Sequence, residues 1–96
     1  MSKVTTEELF KALSNKIRMD ILRSLEEHER CVMDIVKELK YDQTTVSHNL
    51  RYLSDCGFVF VHKHGKNRIY KLNERTIGPL MKIIEKHIQM IEEELR

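Results

Sequence analysis

Side chains that can hydrogen-bond to nucleic-acid bases recur at helical spacing between positions 43 and 51. Positions three and four apart share one face of a helix, and four such side chains do so here: Thr44, Ser47, His48 and Arg51. The opposite face carries an apolar stripe of Val46, Leu50 and Leu53, which predicts packing on a core. A short helix that is apolar behind and rich in donors in front has the chemistry of a major-groove reader.

A basic hairpin is predicted directly after this helix. Residues 58–62 and 67–72 have the composition of strands, and Gly65 lies in the turn between them. The sequence of the tip is Lys63-His-Gly-Lys-Asn-Arg68, whereas a merely solvated helix would need no basic neighbour. We expect helix 43–55 to enter the major groove and the wing, residues 62–68, to hold the backbone or the minor groove. The candidate DNA-binding residues are Gln43, Thr44, Thr45, Ser47, His48, Arg51, Lys63, His64, Lys66, Asn67 and Arg68.

The charge distribution favours an anionic partner at the same place. The chain carries 17 basic and 15 acidic side chains in 96 residues. Residues 41–73 hold five basic and two acidic ones, whereas residues 1–40 hold eight of each and residues 74–96 hold four and five. A local basic excess on a nearly neutral chain favours an anionic ligand that docks at one surface.

Helix-capping signals organise the whole chain, 1–96, into one domain. Residues 5–8 form a capping-box pattern that opens a short helix burying Phe10 and its apolar neighbours. Ser14 is expected to cap a second helix, Asp42 to cap the donor-bearing helix, and Gly57 to end it. The expected fold is mainly α with a small β-hairpin. It is a winged helix-turn-helix in the order helix, helix, short strand, helix, helix, strand, strand, helix.

The last helix, about 76–95, carries more apolar surface than a small domain can cover. Its apolar residues step by four and three from Ile77 to Leu95, and a second apolar row runs beside this seam. A helix packed only on its own core needs one such row, so we expect a homodimer through the first and last helices. The candidate interface residues are Leu9, Ile77, Leu80, Met81, Ile84, His87, Ile88, Ile91 and Leu95.

Several classes of protein are disfavoured by the sequence. Three glycines leave no room for a phosphate-binding loop and no acyl-transfer motif is present, so neither an enzyme nor a cofactor is expected. Two cysteines are too few for a disulfide framework, and Cys31 and Cys56 are expected to be free thiols. Without a run of about 18 apolar residues or an apolar leader, we expect a cytoplasmic protein with no membrane partner.

The residues of the donor-bearing helix resemble those of a known family. The segments 10–22, Asp42-Gln-Thr-Thr-Val-Ser-His-Asn-Leu50 and Asp55-Cys-Gly-Phe-Val59, in this order of elements, are similar to the arsenical-resistance repressor (ArsR/SmtB) family. The likeness spans roughly residues 5–95, and its most specific part is Gln-x-Thr-Val-Ser-His-x-Leu. The resemblance implies a homodimeric transcriptional regulator, above all a repressor, that binds a palindromic operator in double-stranded DNA and is released by a small inducer.

The chain departs from this family at the positions that would sense metals. Members that sense soft metals carry Cys-x-Cys-Asp at the start of the third helix, where this chain has Cys31-Val-Met33-Asp34. The other family site needs histidines beyond an Asp-x-His pair, and the last helix offers only Glu85-Lys-His87. Neither pattern supplies three or four ligands, so we expect no metal site and no metal inducer. Two alternatives stay open: a winged-helix protein-interaction module, and a thiol- or metal-responsive repressor that senses through Cys31.

Overall fold

The computed structural model describes residues 4–95, which form helices around a small sheet. The helices are α1 (Thr6–Leu13), α2 (Lys16–Glu27), α3 (Val32–Leu39), α4 (Gln43–Asp55) and α5 (Ile77–Glu94). The strands are β1 (Arg30–Cys31), β2 (Val59–His64) and β3 (Asn67–Leu72). The predicted winged helix-turn-helix order is confirmed, including the short first strand.

The helix starts follow capping chemistry, with one correction. The Thr5 hydroxyl accepts the backbone N–H of Glu8 at 3.1 Å and opens α1 as predicted. The prediction that Ser14 caps α2 is wrong, because the side chain of Asn15 accepts the N–H of Arg18 at 3.0 Å. Ser14 instead ends α1 and donates its N–H to the carbonyl of Phe10 at 2.9 Å. One residue must close the first helix before the next residue can cap the second.

The sheet is antiparallel, with β3 in the centre and β2 and β1 on its two sides. β2 and β3 form the predicted hairpin, in which Lys63 lies opposite Arg68. Gly65 opens the two-residue turn with a φ of 65°, a conformation that glycine adopts without steric cost. β2 begins and ends later than predicted, because Phe58 donates its N–H to the carbonyl of Leu53 and so still belongs to the end of α4.

The core lies where the helices meet the sheet. The predicted apolar stripe of α4 is confirmed, since Val46, Leu50 and Leu53 are all fully buried. The expectation that Phe10 is buried is wrong, because its side chain is 61% exposed. Both Ile77 and Met81, at the start of α5, are buried in this core at 1% and 2% exposure. They therefore cannot belong to an exposed seam for a partner protomer, as the heptad spacing had suggested.

Candidate nucleic-acid interface

The packing of α4 fixes which of its side chains face outward. Its apolar stripe is fully buried, and the Asp42 carboxylate caps its first turn by accepting the N–H of Thr45 at 3.2 Å. The hydrogen bond from the Thr45 hydroxyl, and to a smaller extent the one from its N–H, hold the pKa of Asp42 below its usual range. With its back buried and its start capped, α4 leaves five predicted residues exposed, which we call the reading face: Gln43, Thr44, Ser47, His48 and Arg51.

Thr45 does not belong with the other candidate DNA-binding residues. Its side chain is half-buried, and its hydroxyl donates a hydrogen bond to the Asp42 carboxylate. A hydroxyl that is already engaged at the helix start is poorly placed to contact a base. The sequence pattern could not separate Thr44 from Thr45, because adjacent threonines offer the same donor and differ only in the direction in which they project from the helix.

The hairpin lies beside the reading face and shares a groove with it. This groove has a volume of about 360 Å³, and α4 contributes Ser47 and Arg51 to its wall. The sheet contributes Arg68 and Tyr70, and α3 contributes Val32. The structure therefore brings together cationic side chains that lie 17 positions apart in the sequence, Arg51 and Arg68.

The wing presents its predicted basic residues to solvent. The side chains of Lys63, His64, Lys66, Asn67 and Arg68 are all exposed. Within residues 4–95, no carboxylate lies within 4.0 Å of the charged group of Arg51 or of the three wing cations. Cations without an internal counterion are available to an external anion, and phosphate is the anion that a groove-reading helix brings near.

Sequence reasoning missed a structural arginine, Arg30, which anchors β1 to the neighbouring helices. Arg30 lies opposite Tyr70 in the pairing of β1 with β3. Its guanidinium donates to the carbonyl of Ser24 at 3.1 Å and forms ion pairs with Glu27 at 3.0 Å and Glu38 at 3.1 Å. These contacts join β1, which pairs with β3 of the hairpin, to α2 and α3. A cation within a run of glutamates has the sequence signature of a solvated turn, so its burial could not be foreseen.

Sequence reasoning also missed a buried polar residue of α4, Asn49. Asn49 is only 7% exposed, and its side chain donates to the carbonyl of Thr45 at 2.9 Å and accepts from Arg18 at 3.3 Å. A signal was present, because Asn49 is a polar residue placed between Val46 and Leu53 on the stripe that faces the core. A polar side chain at such a position requires a buried partner.

Cys31 lies at the edge of the wing. It is half-buried at the start of α3, and its backbone N–H donates to the Asp34 carboxylate at 3.4 Å. A groove of about 260 Å³ separates Cys31 and Met33 from the wing residues Lys66 and Arg68. Within residues 4–95, no three His, Cys, Asp or Glu side chains lie close enough together to hold a metal ion.

A second surface, formed by α1 and α5, is apolar. Most large apolar side chains of α5 and its C-cap residue lie outside the core. Six of them are exposed, and we call them the apolar ridge: Leu80, Ile83, Ile88, Met90, Ile91 and Leu95. Ile84 and Leu9 are half-buried, and His87 is exposed. A shallow groove of about 120 Å³ connects Leu80 to Leu9, Phe10 and Phe58.

No helix among residues 4–95 is long and apolar enough to cross a bilayer.

Comparison with known proteins agrees with this architecture. A family model described as the bacterial regulatory protein, arsR family, matches residues 15–60. An uncharacterised HTH-type transcriptional regulator of Methanocaldococcus jannaschii is 34% identical over 81% of this chain and 89% of its own length. The chain belongs to the ArsR family. The matched segment contains both helices of the helix-turn-helix and the whole reading face.

Two further comparisons give this ArsR-family chain a named relative and a solved structure of the same fold. The arsenical resistance operon repressor of Staphylococcus xylosus is 33% identical over 80% of this chain and 74% of its own. A solution structure from Mycobacterium bovis, described as a homodimeric winged helix-turn-helix DNA-binding domain, has a TM-score of 0.83 at 24% identity. The alignment covers 98% of this chain and 95% of that one, so the shared fold includes α5.

Proposed function

We propose that this ArsR-family chain is a homodimeric, sequence-specific DNA-binding transcriptional regulator that acts as a repressor. One observation carries the proposal: the exposed donors of α4 and the uncompensated cations of the wing form one continuous surface. Specific recognition of duplex DNA requires hydrogen-bond donors that can contact base edges and cations that can contact phosphates.

Each part of this surface has a distinct role in the proposal. α4 lies in the major groove, where Thr44, Ser47, His48 and Arg51 contact base edges. Arg51 is the strongest candidate for specificity, because its planar guanidinium can bind the two acceptors of a guanine at once. Gln43 and the wing contact the backbone or the adjacent minor groove through a set of polar and charged side chains: Lys63, His64, Lys66, Asn67 and Arg68.

The apolar ridge provides the dimer interface in this proposal. Six large apolar side chains exposed on one helix are costly in water and gain most when a second copy covers them. The twofold axis places Ile84, His87, Ile88, Ile91 and Leu95 against the equivalent residues of the partner, with Leu9 and Leu80 at the margin. The two copies of α4 then lie in successive major grooves, about 34–36 Å apart, and read a palindromic operator.

The relatives support a regulatory rather than an enzymatic role. The Methanocaldococcus jannaschii protein is named as a regulator and the Staphylococcus xylosus protein as an operon repressor. A repressor acts by occupying DNA, for which the reading face and the wing suffice without a catalytic group or a cofactor. Its site of action is then the DNA of the cytoplasm.

Selection from a random duplex library tests the proposal without knowledge of the operator. Wild-type protein should enrich a palindromic sequence, and its affinity for that sequence should fall roughly 10³- to 10⁵-fold between 50 and 200 mM salt if six to ten phosphates are contacted. Recovery of no enriched sequence, together with binding that is indifferent to salt, would refute the proposal. It would favour the protein-interaction module instead.

A further inference from the structure

Arg18 connects the apolar surface to the DNA-reading surface. It lies in the first turn of α2, and its guanidinium donates from Nε to the carbonyl of Ala12 at 2.6 Å and from Nη2 to the carbonyl of Lys11 at 3.2 Å. Both carbonyls belong to the last turn of α1, where an α-helix leaves acceptors without intrahelical donors. A cation at this end of a helix also interacts favourably with the helix dipole.

The same guanidinium binds α4 on its other side. Its Nη1 donates to Oδ1 of Asn49 at 3.3 Å, and its Cζ lies 4.1 Å from the centroid of the Tyr52 ring. Asn49 is held in turn, because it is 7% exposed and its Nδ2 donates to the carbonyl of Thr45 at 2.9 Å. One planar side chain thus engages two backbone acceptors on α1, and an amide and an aromatic ring on α4.

We propose that Arg18 is a positioning residue that fixes α4 relative to α1 and so sets the spacing of the two reading faces in the dimer. The inference rests on the proposed function, since α1 contributes to the apolar surface and α4 carries the reading face. If α1 is held against the partner protomer, the orientation of α4 relative to α1 decides where each reading face meets the DNA. Three of the five N–H donors of Arg18 already have acceptors within the protomer, which assigns it a positioning role rather than a phosphate contact.

Arginine is the residue type that this position requires. Its five donors lie in one rigid plane, which can meet acceptors on two helices and stack on a ring at the same time. Lysine keeps the charge and most of the length, but an ammonium group cannot reproduce that planar arrangement. Arg18→Lys therefore separates the geometry from the charge, and it supplies a second variant in case Arg18→Gln does not fold.

The test uses the duplex that wild-type protein selects from a random library, and a second duplex with one base pair inserted between the half-sites. Wild-type protein should bind the second duplex at least about tenfold more weakly than the first. Arg18→Gln and Arg18→Lys should bind the first duplex about tenfold more weakly than wild-type protein does, and they should lose most of the preference for the first duplex over the second. Arg23→Gln is the matched control, because it removes one cation from the same helix at an exposed ion pair with Asp20. Thermal melting and sedimentation of each variant report folding and dimer formation.

A double-mutant cycle identifies the partner on α4. Asn49→Leu should weaken the spacing preference as Arg18→Gln does, and the double variant should be hardly worse than either single one, because both remove the same link. Variants of Arg18 that keep the wild-type spacing preference, with operator affinity no lower than that of Arg23→Gln, would overturn the positioning role and leave the proposed function standing. Failure of wild-type protein to enrich any duplex would overturn both.

Discussion

α4 and α5 are both amphipathic, but the protein covers their apolar faces to different extents. The stripe of α4 is fully buried within the protomer, and what remains outside is polar. In α5 the buried apolar side chains, Ile77 and Met81, lie near its start, whereas the apolar ridge is exposed, with Ile83 at 64% and Leu95 at 81%. An exposed polar face is stable in water and needs no partner, whereas an exposed apolar face is stabilised by one.

This difference explains how one small chain can present two interfaces. In the proposed function, the reading face and wing bind DNA through charge and hydrogen bonds, which depend on salt and on base sequence. In the same proposal the apolar ridge binds a second protomer through the burial of apolar surface, which depends little on salt. Substitutions in the two regions should therefore have separable consequences: loss of assembly in one and loss of affinity or specificity in the other.

The largest effect is expected from a charge placed on the apolar ridge. Ile88→Glu should weaken dimer formation at least about 100-fold. Both protomers carry the substitution, so the apolar contact is lost twice and two carboxylates are placed in an apolar interface. Operator binding should be lost with it. Sedimentation velocity measures the assembly, and circular dichroism checks that the monomer stays folded.

The control lies one residue further along the same helix. Gln89→Glu adds the same charge on the exposed polar side of α5 and should leave the dimer intact. A variant Ile88→Glu that sediments as a dimer would show that the apolar ridge is not the interface between protomers.

A smaller effect, confined to DNA, is expected from the reading face. Arg51→Ala should cost about 1–3 kcal/mol of operator binding and relax the preference at one base pair, because a bidentate contact to guanine is lost. The dimer should be unchanged. Fluorescence anisotropy with operators altered at one base pair at a time measures the preference, and Arg23→Ala, on the exposed surface of α2, controls for charge alone. An equal loss of affinity for all operators would show that Arg51 contacts a phosphate and not a base.

The wing should contribute affinity without specificity. Removal of two of its cations, in the double variant Lys66→Ala with Arg68→Ala, should weaken all duplexes similarly and lower the slope of log affinity against log salt by about one for each lost phosphate contact in each half-site. Lys71→Ala is the control, since Lys71 is exposed on the same hairpin at the end away from the turn. A variant that loses discrimination between operators instead would show that the wing reads bases.

The contrast between α4 and α5 also marks what the sequence could and could not predict. The spacing of Val46, Leu50 and Leu53 identified a buried stripe correctly, because one face of a short helix packed on a small core accounts for it. The same periodicity could not tell Ile77 from Ile88, since a heptad seam is continuous while the core that covers it ends after two turns. Periodicity gives the face of a helix, and only tertiary packing gives how far along that face the core extends.

Polar positions were harder to predict, because their roles depend on contacts that residue type and spacing alone do not specify. Thr44 and Thr45 carry the same hydroxyl, but only that of Thr45 donates a hydrogen bond to Asp42. The position of Asn49 on the apolar stripe indicates burial, but its partner Arg18 lies 31 positions earlier and could not be identified from the spacing. The wing cations were predictable as a group, because a turn at Gly65 brings consecutive residues to one tip regardless of the rest of the fold.

The smallest effect concerns the acid dependence of stability, and it isolates the start of α4 from the apolar ridge. Hydrogen bonds from the Thr45 hydroxyl and N–H lower the pKa of Asp42 in the folded state, so the ionised carboxylate stabilises the fold above the ordinary aspartate pKa. That stabilisation is lost as the pH falls through the lowered pKa.

Asp42→Asn keeps a residue that can cap the helix but removes the titrating group. The urea midpoint of the variant should therefore lie slightly below that of wild-type protein at neutral pH and converge with it in acid. Dimer formation should not differ between the two at neutral pH, because Asp42 caps α4 and does not belong to the apolar ridge. A midpoint difference that persisted unchanged below the lowered pKa would mean that the carboxylate's charge contributes nothing, and that only the shape of the cap matters.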